Sequence, residues 1–204
     1  FPIVAERLAT FRFNHDGAVG PIGFLKAGMA VIPVGAALLD RKTVGEGFAG
    51  FDAIECKKHV VMVTIEADVV VGPILKQLAD EAGVIYSLAY GDEPALAVEL
   101  YDWARTLGFR VIAAGKGTRF IPEFRKATPD DVPRLYGFTG EDYNARVFCS
   151  FLDGTKHAIE SVTLSNATGL SIDVRGMHFP ALDLHEMPEQ LCLKSKGGIL
   201  DHEG

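Results

Sequence analysis

The sequence contains no apolar run long enough to cross a membrane. Its longest stretches, around Gly28–Leu39 and Val60–Ile65, fall far below the ~20 residues that a bilayer requires. Basic residues are also in deficit, with 20 Lys and Arg against 27 Asp and Glu and a formal net charge of −7. An acidic surface has no electrostatic pull toward phosphate backbones or anionic lipid, so neither nucleic acid nor a membrane is an expected partner. A small anionic substrate stays open if a few Lys or Arg converge in one cleft. Cysteine is scarce: Cys56, Cys149 and Cys192 are odd in number, widely spaced and without a CxxC pair. Reduced thiols in a cytoplasmic protein are the expectation. The chain opens at Phe1, without Met and without a charged-then-apolar leader, so a fragment or processed chain that is not secreted is expected.

What is present is ordinary globular material, 48% apolar and 23% charged. A chain of 204 residues buries roughly 70% of its unfolded surface, enough for a self-supporting core. Gly and Pro interrupt residues 1–50, where only a strand near Met29–Val34 stands out. From Lys57 onward the pattern is regular. Val60–Ile65 is a continuous β-branched run, the mark of a strand covered on both faces. Gly72–Ala82 carries Ile74, Leu75, Leu78 and Ala79 at helical spacing, and Gly83 is placed to end the helix. Val84–Ala89 predicts a second strand, Pro94–Leu107 a second helix and Phe109–Ala114 a third strand. This alternation implies an α/β fold with right-handed βαβ units and a parallel sheet. A loop from Gly115 to about Pro133 precedes a helical stretch near Arg146–Ala167, and Ser171–Gly204 is expected to be loops.

Four stretches carry chemistry. Gly45-Glu46-Gly47-Phe48-Ala49-Gly50 is a literal GxGxxG, with Glu66 standing 21 positions after Gly45. In a dinucleotide fold, Gly45, Gly47 and Gly50 would admit pyrophosphate and Glu66 would hold the ribose hydroxyls. The polar run Asp40-Arg41-Lys42-Thr43 stands where a buried strand should precede them, so a plain glycine-rich helix entry competes with the fingerprint. Asp92-Glu93-Pro94 closes a predicted strand. Asp92 suits an N-cap and Pro94 a first turn, yet adjacent carboxylates at a strand's carboxyl end also suit a hydroxyl or a divalent ion such as Mg or Mn. Gly115-Lys116-Gly117-Thr118 follows the third predicted strand, and a lysine between two glycines there can meet a phosphate or polarise a carbonyl. Lys156 and Glu160 share a helix face after Asp153-Gly154-Thr155, where an exposed ion pair is the bland alternative. His178 and His185-Glu186 have no metal-ligand spacing.

Several of these stretches resemble one family in order and spacing. They are Lys58-His59-Val60-Val61-Met62-Val63, Glu66-Ala67-Asp68-Val69, Tyr86-Ser87-Leu88-Ala89-Tyr90-Gly91-Asp92-Glu93-Pro94, Ala114-Gly115-Lys116-Gly117, Phe151-Leu152-Asp153-Gly154-Thr155-Lys156 and Asn166-Ala167-Thr168-Gly169-Leu170. The chain is similar over about residues 52–200 to homoserine-dehydrogenase-like proteins with a C-terminal SAF domain. That group includes the deoxyxylulose-phosphate reductoisomerase-like enzymes of isoprenoid biosynthesis. Homoserine dehydrogenases carry an Asn-Lys pair where this chain has Ile65-Glu66, a departure that points to the reductoisomerase-like branch.

The resemblance implies a Rossmann-like parallel sheet with an incomplete first half over residues 1–90. It implies an α+β substrate, catalytic and oligomerisation region over residues 91–204. It further implies NADPH or NADH as cofactor, a small hydroxy-carbonyl or sugar-phosphate substrate, and a homodimer or larger homo-oligomer. Lys116, Asp92, Glu93, Glu66 and Lys156 would be the catalytic set, with Asp92 and Glu93 as metal ligands. The alternative is a non-catalytic oligomerisation or ligand-binding remnant. The resemblance also places Gly45–Gly50 in a helix, away from pyrophosphate. With only about 50 residues before the Lys58-His59 strand, the 204-residue chain alone is expected to bind NADPH weakly or not at all. A fluorescence titration checks this, and saturable binding in the low micromolar range would make Gly45–Gly50 the phosphate loop after all.

Overall fold

The structure is a computed structural model that describes residues 23–25, 29–32, 41–138, 140 and 143–204, with side chains from residue 47 onward. Pro33, Val34, Asp40 and residues 1–22 therefore lie outside the described residues. Four short strands pair in chain order: β1 (Gly23–Leu25), β2 (Met29–Ile32), β3 (His59–Met62) and β4 (Tyr86–Leu88). The β1–β2 pair is antiparallel, whereas β2–β3 and β3–β4 are parallel, with Ala30 opposite Val60 and Val60 opposite Tyr86. Parallel strands need a crossover, and helices supply it. The helix α1 (Arg41–Glu55) connects β2 to β3, and α2 (Ile65–Ala82) connects β3 to β4.

The core forms where these helices meet β3. Val60 and Met62 are wholly buried, and Ala49, Ala53 and Ile54 of α1 join Ala67, Leu75 and Ala79 of α2 around them. Small residues let the two helices approach closely. A Cβ on Gly47 would stand 3.0 Å from a methyl carbon of Val71 on α2. Gly47 of the GxGxxG stretch thus serves helix packing. Gly45, Gly47 and Gly50 all lie inside α1 and not at a strand-to-helix turn, so the phosphate-loop reading is corrected. Amides in a helix interior are committed to the carbonyls four residues earlier and are not available to pyrophosphate.

Two further expectations change. The strand expected over Val60–Ile65 ends at Met62, and α2 begins at Ile65, seven residues before the predicted start. A short apolar run fits a buried strand and a buried helix equally well by period alone. Glu66 therefore stands in the first turn of a helix and not at a strand end. The segment Phe109–Ala114 is not a strand. Phe109 is exposed, and Ile112 and Ala114 exchange backbone hydrogen bonds with Gly204 instead of extending the sheet.

The rest of the chain is mostly helical: α3 (Glu93–Thr106), α4 (Val132–Tyr136), α5 (Ala145–Leu152), α6 (Thr155–Thr168) and α7 (Met187–Gln190). The single helix expected near Arg146–Ala167 is broken at Asp153-Gly154, with Gly154 at φ 83°. A side chain there would crowd the stacked rings of Phe120 and Phe179, 4.3 Å apart between centroids. Residues 171–204 are largely loops, as expected. Among the described residues no helix is long and apolar enough to cross a membrane.

The helix α6 braces the fold, packing against both α2 and α3. Its docking answers a defect in α2. Pro73 has no amide proton, so the carbonyl of Val69 loses its helical partner. The side-chain amide of Asn166 on α6 donates to that carbonyl at 3.2 Å. Met62 tests the core directly: Met62→Ala should cost about 2–5 kcal/mol. Urea unfolding should show a lower midpoint with an unchanged slope.

Candidate functional site

In an open α/β sheet, ligands gather beyond the carboxyl ends of the parallel strands. Here that edge carries the first turns of two helices. The chain leaves β3 through the buried Thr64 and enters α2 with Glu66 and Asp68 in its first turn. It leaves β4 through Tyr90 and Gly91, the latter at φ 93°, and enters α3 at Asp92. Asp92 is the N-cap, and its carboxylate accepts from the Glu93 amide at 3.2 Å. Pro94 follows in the first turn, where its missing amide costs nothing.

Two lysines close over this edge from the later part of the chain. Lys156, in the first turn of α6, donates to Glu66 Oε1 at 2.9 Å across 90 positions of sequence. The Gly154 break is what brings it there, since it turns α6 away from α5. Lys116 lies 3.4 Å from Glu93 Oε1 and forms an ion pair with Glu160 of α6. All five residues expected from the sequence, Glu66, Asp92, Glu93, Lys116 and Lys156, thus lie in one connected group. The expected Lys156–Glu160 pair does not form. Each residue reaches a partner on another element, and both are largely buried.

Sequence reasoning missed Glu160, His157 and Thr118 as members. Glu160 and His157 face inward with Thr163 and Leu164, a buried stripe at helical spacing. That stripe was the available signal: charged residues on the apolar face of a helix. Thr118 Oγ1 lies 3.2 Å from His157 Nε2 and ties the Lys116 loop to α6. Deeper still, the Tyr86 hydroxyl donates to Asp68 Oδ1 at 2.7 Å.

The electrostatics follow from crowding. Burial pushes the Asp92 carboxyl above its usual range, and a hydrogen bond and like charge from Glu93 add to this, while Lys156 opposes it. Glu93 moves the other way, held down by its own backbone amide and by Lys116. Their surroundings thus push the two carboxyl groups apart, Asp92 upward and Glu93 downward. Burial raises Asp68 and Tyr86 as well. Among the described residues, Glu66 Oε2 is one of the buried polar atoms without a hydrogen-bond partner, with His157 Nδ1 and Thr163 Oγ1 of the same region.

Among the described residues no three His, Cys, Asp or Glu side chains are arranged to hold a metal ion. The class this fold and site define is an α/β protein with an acid–base and lysine cleft on the carboxyl edge of a parallel sheet. Residues 91–204 match the family of the oxidoreductase DRL catalytic domain. The match spans more than half of the chain, which belongs to that family. No curated protein matches it.

His157 gives this site a pH signature. Burial holds its imidazole below the usual 6.5, and the charge of Lys116 adds to the effect against Glu160. Below pH 6.5 the unfolded chain takes up the proton before the folded chain does. The contribution to stability is therefore complete above 6.5 and is lost as pH falls toward the folded-state value. Denaturant unfolding across this range should show the slope in the wild type, and His157→Gln should flatten it.

Proposed function

We propose that this chain is the catalytic part of an NAD(P)H-dependent oxidoreductase on the reductoisomerase-like branch of the homoserine-dehydrogenase-like family. Its substrate is a small hydroxy-carbonyl compound or a sugar phosphate. The observation that carries the reading is the meeting of Lys116 with the Asp92–Glu93 pair in one cleft, inside the segment that matches an oxidoreductase catalytic domain. The absence of an Asn-Lys pair at Ile65-Glu66 favours this branch over homoserine as substrate.

The nicotinamide, when bound, supplies a hydride to the carbonyl carbon. The residues of the chain manage the oxygen. The Lys116 ammonium faces the carbonyl oxygen and stabilises the negative charge that develops there. Asp92, whose carboxyl burial and Glu93 push above its usual range, lies on the same edge and delivers the proton that completes the alcohol. Glu93 holds the carboxylate side of the pair and reloads Asp92 from solvent, to which it is 57% exposed. The free Oε2 of Glu66 accepts from a substrate hydroxyl, and Lys156 fixes that carboxylate in place. A glycine loop does not enter this scheme. The exposed apolar stripe of Leu96, Leu100, Trp103 and Leu107 on and just after α3 supports assembly with further copies.

In the complete protein, Lys116→Ala should lower kcat/KM by ~10²-fold or more, with most of the loss in kcat. The readout is the decay of NADPH absorbance with a panel of small hydroxy-ketones and their phosphates. Wild-type kinetics in this variant would remove Lys116 from the mechanism. A panel in which no compound consumes NADPH would remove the oxidoreductase reading itself.

A further inference from the structure

The charges around Lys116 are unbalanced in a way that bears on the substrate. Four carboxyl groups, Glu66, Asp92, Glu93 and Glu160, stand against the two ammonium groups of Lys116 and Lys156. Each lysine is already engaged, Lys156 by Glu66 and Lys116 by two carboxylates at once. The cleft itself is nearly full. Between Glu93, Gly115, Lys116, Glu160, Ser161 and Leu164 there remains about 10 Å³, the room of one water.

Within this space a ligand atom reaches Lys116 by taking the place of one partner, while 26% of the Lys116 side chain stays open to solvent. Glu93 is the one that can yield, since its contact is the longer at 3.4 Å and its side chain is 57% exposed. Glu160 cannot, since its side chain is 6% exposed and sits in the rigid middle of α6. Once Glu93 swings out, Lys116 still faces one buried carboxylate and carries no surplus charge. A carbonyl dipole is attracted to such an ammonium and leaves the balance intact. A phosphate would bring up to two negative charges against Glu160 at contact range, with Glu93 and Asp92 close behind.

We infer that Glu160 sets the charge selectivity of the cleft, so that Lys116 meets an uncharged oxygen of the substrate, a carbonyl beside a hydroxyl, and not a phosphate. This rests on the reading of Lys116 as the group that polarises the substrate. It decides between the two roles that a lysine in this loop can play. A phosphorylated substrate enters with its phosphate away from Lys116. Glu160 acts through Lys116, so it is a specificity-determining residue and not a group that touches the reacting atoms.

The test uses binding alone, without NADPH. Hydroxyacetone is titrated by ligand-observed proton NMR and inorganic phosphate by phosphorus NMR. The proteins are the full chain, Lys116→Gln, Glu160→Gln, Glu93→Gln and the double variant Glu160→Gln/Lys116→Gln, each checked for fold by circular dichroism. Hydroxyacetone should bind the wild type and weaken about tenfold in Lys116→Gln, whereas phosphate should be indifferent to that change. Glu160→Gln should raise phosphate affinity about tenfold, and the gain should vanish in the double variant. Glu93→Gln, at an exposed position, should shift phosphate in the same direction by less, and it decides the matter if Glu160→Gln does not fold. Phosphate binding to the wild type that depends on Lys116 overturns the inference. So does the absence of any Lys116-dependent hydroxyacetone binding, or of any gain for phosphate in the folded glutamine variants. Selective binding as expected in a protein that never consumes NADPH would fault the proposed reaction and leave the charge selectivity standing.

Discussion

The structure depends on buried carboxylates being met by cations carried from far along the chain. Taking a carboxylate out of water costs several kcal/mol, and its attraction to an ammonium returns this only when geometry and hydrogen bonds are good. Lys156 meets Glu66 across 90 positions of sequence, and Lys116 meets Glu160 from a loop to a helix. A hydrophobic replacement would commonly serve stability as well or better. Two such pairs stand on the edge where an α/β sheet binds ligands, which is what the proposed chemistry would use.

The same contacts order the fold. α6 could not dock with Glu160 and His157 buried unless each found a polar partner, because an unmet buried polar group costs as much as a lost core contact. Lys116 answers Glu160, and Thr118 answers His157. Asn166 then answers the carbonyl that Pro73 frees. The helix that completes the site is the helix that joins the sheet region to the later helices, so site geometry and tertiary docking are one constraint.

This coupling explains what the sequence made legible. Val60, Met62, Gly83 and Asp92 act through neighbours within a few residues, and strand, helix stop and N-cap stand close to their expected places. The site residues Glu66, Asp92, Glu93, Lys116 and Lys156 were visible as charges beside turns and through the family's ordered stretches. Their pairing was not, because it crosses between elements. Helical spacing suggested Lys156 with Glu160, yet a largely exposed pair gains under about 1 kcal/mol and gives way to buried partners. Phe109–Ala114 failed for a related reason: apolar composition permits a strand, but ladder partners decide whether one forms. The GxGxxG stretch shows the reverse case, where glycines that suit a phosphate loop suit close helix packing equally well.

The arrangement of protons gives the last step. A reduction at a carbonyl needs an acid that is still protonated near neutral pH and a fixed positive charge that does not itself protonate the product. In the proposed reduction Asp92 and Lys116 would divide these tasks, because their surroundings differ. Asp92 is half-buried against another carboxylate, which favours its neutral form, whereas Lys116 stands between the carboxylates of Glu93 and Glu160. Glu93 belongs to both groups, bonded to Asp92 on one side and paired with Lys116 on the other. When a substrate oxygen takes Glu93's place at Lys116, Glu93 loses the cation that holds it ionised and its claim on a proton rises. In the proposed mechanism substrate entry would thereby change the proton balance of the Asp92–Glu93 pair at the moment the acid is needed, linking binding and acid strength through one side chain.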